Sequence, residues 1–229
     1  MLRRHHINSK GVAFLTSFFY TTLRSSGVDY VQSWRVTTEK FNLLDKKFLF
    51  IPMNVSGGKH WALAVIVNAS AIDNGLEYCK GGHKNSSGFD KKKKAPCILY
   101  LDSGEVSQTK AVTRCRVLKE WLDYKNTNDG QSADLNTNVY TFSKGSFNAM
   151  KTIAVDVPQQ PNDFDCGIYV CAFASQMLKL LDKDFNFYDV ENKLKQEITD
   201  NENFNFDNDK LAKFKRSFRG LVEGLRDYK

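Results

Sequence analysis

Residues 166–181, CGIYVCAFASQMLKLL, are apolar nearly all the way round a helical projection. Ile168, Val170, Phe173, Met177, Leu178 and Leu181 leave no continuous face for water, so a helix here has to be buried. The segment is opened by PQQPNDFD, a polar stretch in which Pro158 and Pro161 stiffen a turn. A buried helix needs neighbours on every side, and the chain supplies strands and further helices. KFLFIPM at 47–53 reads as a short buried strand ended by Pro52, HWALAVIV at 60–67 as a second, CILYLD at 97–102 as a third, and KTIAVDV at 151–157 as a fourth. Together they predict a sheet. Phe14, Leu15, Phe18, Phe19 and Leu23 recur at helical intervals within 11–24 and predict an amphipathic helix. A helix is also expected over 109–125, around Val112, Leu118, Trp121 and Leu122, and a terminal amphipathic helix over 209–228. Residues 126–149 read as polar and loop-like, with a short strand around Val139–Phe142, and a short helix is expected near Val190–Ile198.

The 229 residues suit a single domain, and 41% apolar residues with 13% aromatics are enough for a sizeable core. No run of about 18 apolar residues offers a membrane span. The start, MLRRHHINSKGV, has charge but no apolar signal core behind it, so the cytosol or nucleus is the expected compartment. The net charge of +7 would suggest nucleic acid if it were spread over a surface. It is not: Lys80 to Lys94 holds six lysines against one aspartate, which is five of the seven charges. That basicity belongs to one segment, Asn68 to Ala95, rich in Gly, Ser, Asn and Lys, which reads as a solvated insertion between the second and third strands. It predicts no specific nucleic-acid partner.

Five cysteines, Cys79, Cys97, Cys115, Cys166 and Cys171, make an odd number with no CxxC pair, against both a disulfide framework and a structural zinc site. Cys166 stands apart. It lies where the polar turn gives way to the buried helix, so backbone N–H groups and the helix dipole favour a thiolate there. Gly167 behind it lets another backbone approach closely. A small buried hydrophobe is the other reading of Cys166, and it is the better one for Cys171, Cys97 and Cys115.

A nucleophilic thiol needs a base. Of the four histidines, His5 and His6 sit in an unanchored start and His83 in the insertion; His60 alone abuts a buried strand. An imidazole in turn needs an acceptor that fixes its tautomer. Asp102 ends an apolar strand, where a carboxylate is unexpected without a partner, although Asp-Ser-Gly is also a turn signature. Asp123 and Asp156 are weaker rivals. A developing oxyanion needs donors, and Gln160, six residues before Cys166, can supply one, with the Cys166 N–H as a second and Gln159 as the rival glutamine.

HWALAVIV, LYLDS and VPQQPNDFDCGIYVC resemble the signature blocks of the SUMO-specific ubiquitin-like proteases, the Ulp and sentrin-protease family, and FLTSFFYTTLR and FLFIPMN are similar to its preceding blocks. The resemblance covers roughly residues 12–67 and 97–181. It implies a papain-like α+β fold, with a central mixed sheet flanked by helices and the nucleophile at the N-terminus of a buried helix. It implies a triad of His60, Asp102 and Cys166, with Gln160 at the oxyanion hole. Trp61 matches a family tryptophan beside the channel that admits two glycines, so Trp61 and Gly167 are the expected substrate-binding residues. The implied activity is cleavage after the Gly-Gly terminus of SUMO on target lysines, in chains or in a precursor, by a thiol peptidase needing no metal or organic cofactor. The implied partner is SUMO or a related ubiquitin-like modifier with its conjugates, the implied state a monomer, and the implied compartment the nucleus, with the cytosol as a second. A protease for another ubiquitin-like protein, or a catalytically weak module that only binds the modifier, remains open at this point.

The chain departs from the family pattern twice. The block containing Trp-Leu-Asn/Asp that ordinarily precedes the first helix has no counterpart here, so the expected organisation is one catalytic domain over 1–229 with an upstream block missing. The 42 positions from His60 to Asp102 reflect the insertion at about 68–95. Together with the PCIL block before Asp102, that insertion resembles the large, chain-editing branch of the family.

Overall fold

The computed structural model describes residues 11–32, 43, 46–67, 97–104, 107–129, 150–181 and 208–226. Five strands form one sheet in sequence order: β1 (Val12–Phe14), β2 (Phe48–Val55), β3 (His60–Val67), β4 (Cys97–Leu101) and β5 (Lys151–Ala154). The outer pairs, β1 with β2 and β4 with β5, are parallel; β2, β3 and β4 run antiparallel. Among the described residues four α-helices accompany them: α1 (Phe19–Gln32), α2 (Gln108–Asp129), α3 (Cys166–Leu181) and α4 (Asn208–Arg226). This is the α+β class expected, a mixed sheet between helices.

Strand alternation divides the core in two. Leu49, Ile51, Met53, Ala62, Ala64 and Tyr100 face α1 and α2, where Phe19 meets Trp121 edge-on with ring centroids 5.0 Å apart. Phe50, Leu63, Val65 and Leu99 face the other way, against Tyr169, Phe173 and Met177 of α3, and Leu211 of α4 joins that side. The central strands are therefore buried on both faces, which is why HWALAVIV and CILYL carry no polar alternation. The buried helix read from its all-round apolar pattern is α3, with the limits expected.

Four expectations are corrected. Val12–Phe14 is a strand, not the start of a helix: Gly11 O accepts the Phe48 N–H and Phe50 O accepts the Leu15 N–H, each at 2.9 Å, while Phe14 stacks on Phe50. The helix begins at Phe19, and Phe18 is 73% exposed. Sheet pairing has outcompeted a helical spacing that only Phe19 and Leu23 use for the core. Pro52 does not end β2, which runs on to Val55. The backbone groups of Phe48 and Phe50 point toward β1, so those of Pro52 point to the same side, past the end of β1, where a missing N–H costs no ladder bond. Finally, β5 stops at Ala154 and α2 continues to Asp129. The strand expected at Val139–Phe142, the helix near Val190–Ile198, the segment 68–95 and His5, His6 and His83 lie outside the described residues.

Candidate active site

The β2–β3 hairpin turns through Ser56, Gly57 and Gly58, with φ of 55°, 68° and 91°. Two glycines meet most of this left-handed demand without a Cβ penalty. The turn delivers His60 as the first residue of β3, directly opposite Val55. Asp102 follows the last residue of β4, one strand over, and Cys166 is the first residue of α3, which packs across β3. Trp61 joins the two elements: a Cβ added to Gly167 would lie 3.9 Å from its Cδ1. The fold thus gathers His60, Trp61, Asp102, Cys166 and Gly167 at one end of the sheet.

Asp102 is only 2% exposed and receives four donors. His60 Nε2 is 2.5 Å from Oδ1, and the Gly104 N–H donates to the same oxygen at 2.9 Å. Tyr100 Oη donates to Oδ2 at 2.9 Å and Arg114 Nη1 at 2.8 Å. A carboxylate accepts from all four at once, whereas a protonated acid would have to surrender one. His60 therefore donates from Nε2, and its Nδ1 is the nitrogen left with a lone pair. Arg114 also reaches Tyr100 Oη at 2.6 Å and, through Nη2, Ser56 Oγ at 3.2 Å in the turn before His60. Burial, and then the Asp102 carboxylate, push the Tyr100 phenol up, so it remains a donor. Gly104 is tight against the pair: a Cβ there would lie 3.2 Å from His60 Cε1 and Nε2 and 3.4 Å from Asp102 Oδ1.

The two glutamines differ in what their amides have left to give. Gln159 Nε2 donates to Val157 O at 2.8 Å and to Asp102 O at 3.3 Å, which spends both its hydrogens. Gln160 Nε2 donates to Asn162 O and keeps one N–H; its Oε1 accepts from Ser103 Oγ and its backbone N–H donates to Ser103 O, both at 2.7 Å. Ser103 thereby ties the Gln160 loop to the residue beside Asp102. Asn162 organises the rest of the loop, its Oδ1 accepting from the N–H groups of Phe164 and Asp165.

Cys166 is 5% exposed. Burial pushes the Cys97 and Cys115 thiols up to about 12 and raises that of half-buried Cys171, which holds all three toward the unreactive protonated form. The rival acids lie elsewhere, Asp156 exposed beyond β5 and Asp123 on α2. Sequence reasoning missed Tyr100, Ser103, Gly104, Arg114, Asn162, Asp165 and Lys215. The one available signal was a polar or ionisable residue in an apolar frame, as with Tyr100 inside CILYL.

Comparison with known proteins places the chain. A model of the C-terminal catalytic domain of the Ulp1 protease family matches residues 1–216. A probable ubiquitin-like-specific protease 2B of Arabidopsis thaliana is 25% identical over 194 residues, which are 78% of this chain and 18% of that protein. Ubiquitin-like-specific protease 2 of Saccharomyces cerevisiae is 30% identical over 172 residues, 72% of this chain and 14% of that one. The chain therefore spans less than a fifth of the length of these relatives. A solved structure of a de-sumoylating protease superposes with a TM-score of 0.64 at 23% identity, covering 99% of this chain and 76% of the other, which shows that the fold is shared.

Proposed function

The chain belongs to the Ulp1 protease family, and we propose that it is the catalytic domain of a cysteine isopeptidase that cleaves after the Gly-Gly terminus of SUMO. The observation that carries this reading is the four-donor hold on Asp102, which fixes His60 with Nε2 engaged, next in sequence to Trp61, which lies against Gly167 at the start of α3. In this reaction His60 Nδ1 takes the Sγ proton of Cys166 and becomes imidazolium; the resulting thiolate attacks the carbonyl carbon of the last glycine, and the carbonyl electron pair moves to oxygen. The remaining Gln160 N–H and the Cys166 N–H hold that oxyanion. His60, as imidazolium, gives its Nδ1 proton to the departing lysine amine as the C–N bond breaks, leaving a thioester. His60 then takes a proton from water, whose oxygen attacks the thioester. Collapse expels the Cys166 thiolate and releases the modifier with a free glycine carboxylate.

The low exposure of Cys166 and the flanking Trp61 support a substrate tail without side chains, which is what two glycines provide. The names of the curated relatives support a ubiquitin-like protein as the substrate class. A module that only binds the modifier would have no use for the Asp102 network. Within this reading the enzyme acts in the nucleus, where microscopy of the tagged full-length protein would find it.

The test is a panel of ubiquitin-like modifiers bearing C-terminal electrophiles. SUMO is expected to form a covalent adduct at Cys166 and to leave a Cys166→Ala protein unlabelled. Labelling that survives the substitution would remove Cys166 as nucleophile, and capture of a different modifier in preference to SUMO would change the substrate.

A further inference from the structure

Asp165 stands at the position from which a side chain ordinarily caps a helix. Its carbonyl does begin α3, accepting the Ile168 N–H at 2.9 Å and the Tyr169 N–H at 3.0 Å. Its carboxylate does not turn back. Oδ2 takes Asn162 Nδ2 at 2.8 Å and Lys215 Nζ at 2.5 Å, and among the described residues neither carboxylate oxygen bonds an N–H of α3. Lys215 comes from α4, 50 positions along the chain. The Asp165 side chain is 7% exposed and that of Lys215 38%, so the pair sits at the margin of the core with its anion inside. The N–H groups of Cys166 and Gly167 are left without a protein acceptor among the described residues, at the end of the helix that attracts negative charge.

A carboxylate one residue before a thiolate opposes that thiolate unless something cancels it. It would also compete for the same N–H groups. The charged side chains around the start of α3 are His60 from β3, Asp102 after β4 with Arg114 of α2 behind it, Asp163 and Asp165 on the loop, and Lys215 from α4. Asp102 has its own cation in Arg114, and Asp163 stands in water. Asp165 is buried, and its cation is Lys215.

Resting on the reading of Cys166 as nucleophile, we propose that Lys215 is a positioning residue for it: the ammonium draws the Asp165 carboxylate off the start of α3 and cancels its charge, so that the N–H groups there serve the reacting sulfur and oxygen. The terminal amphipathic helix is then part of the catalytic apparatus, although it contributes nothing that touches substrate.

The experiment follows the rate of iodoacetamide alkylation at Cys166 against pH in the full chain, read by peptide mass spectrometry in a Cys171→Ala background. Lys215→Met is expected to slow alkylation at neutral pH about tenfold, as one nearby like charge does, and to move the midpoint of the curve upward. Lys215→Arg should restore both. The decisive protein is the double variant Asp165→Asn with Lys215→Met, in which anion and cation are both gone; its curve should return toward that of the parent. Lys215→Gln, which keeps the stem and a donor, serves if Lys215→Met does not fold. A Lys215→Met or Lys215→Gln curve that coincides with the parent, or a double variant no better than the single one, overturns the proposal while Cys166 stays the nucleophile. Turnover that survives Cys166→Ala would instead remove the reading beneath it.

Discussion

Arg114 Nη1 lies 2.8 Å from Asp102 Oδ2, the oxygen that His60 does not use, while Nη2 of the same guanidinium reaches Ser56 in the turn that precedes His60. One side chain of α2 therefore braces both strand ends that carry the imidazole–carboxylate pair. Arg114→Leu is expected to lower kcat about tenfold, roughly 1.4 kcal/mol, with KM little changed. That is the lower end of what a charge-assisted hydrogen bond contributes, as suits a guanidinium still 22% exposed. Lysine should restore only part of the loss, because an ammonium does not offer the two-pronged geometry. An unchanged kcat in a folded Arg114→Leu protein would show that the brace is idle.

Gly104 shows the opposite need, for the absence of a side chain. Its N–H serves Asp102 Oδ1, and a Cβ at 3.2 Å from two atoms of the His60 ring would force the imidazole aside by a few tenths of an ångström. Gly104→Ala should cut kcat by about 10²-fold, the cost attached to misplacing a reacting group, with little change in melting temperature. Wild-type turnover in this variant would mean that the ring has room the geometry denies it.

The glutamines separate by hydrogen count. Gln160→Ala removes a donor with a free N–H and should lower kcat by about 10²–10³, the usual loss for one oxyanion donor. Gln159→Ala removes an amide whose hydrogens are both committed to carbonyls and should cost only a few-fold. Equal losses at the two positions would argue that both act by shaping the loop.

The sequence was most legible where one physical demand dominated. Helix α3 had to be buried because no face of it is polar, and His60–Val67 had to be a strand covered on both faces. Asp102 ended an apolar strand, His60 abutted one, and Cys166 stood where a polar turn met the buried helix, so all three could be singled out. Arg114, Asp165 and Lys215 gave no such signal. Each lies in a polar or amphipathic segment where a charged residue is the ordinary occupant, and its significance rests on a partner 12 or 50 positions away. The first strand was misread for a related reason. Val12–Phe14 is three residues long, too short for a period of two to outweigh the helical spacing that begins within it.

Val67 and Cys97 are direct partners in the antiparallel β3–β4 ladder, so the chain between them leaves and re-enters the sheet at adjoining points. Replacing Asn68 to Ala95 with a short Gly/Ser turn is therefore expected to keep the register of both strands and the His60–Asp102 bond. Loop closure gives no obstacle, since shortening a loop lowers its entropy cost by about 0.6 kcal/mol per halving. Activity on a minimal modifier–peptide substrate should survive within a few-fold. On poly-modifier chains at low salt, kcat/KM should fall, because the lysines of Lys80 to Lys94 would no longer draw in acidic surfaces. Loss of activity on the minimal substrate would make the segment structural, and equal salt dependence with and without it would leave the lysines no role in encounter.

The Asp165–Lys215 pair also makes a statement about acid stability. Burial raises the Asp165 carboxyl, but the hydrogen bonds from Lys215 and Asn162 and the charge of Lys215 outweigh it, so the folded protein holds this group below its ordinary value of 3.8. A depressed carboxyl stabilises the fold fully above its unfolded value and ceases to do so as the pH falls through the folded one. In urea unfolding, the gap between the parent and Asp165→Asn should be flat from about pH 7 to pH 5 and shrink below about pH 4. Solvent around Lys215 should keep that gap to about 1–2 kcal/mol, less than a fully buried charged bond would contribute. A gap that widens on acidification would mean that the carboxyl is raised in the folded protein, and that Lys215 does not neutralise it.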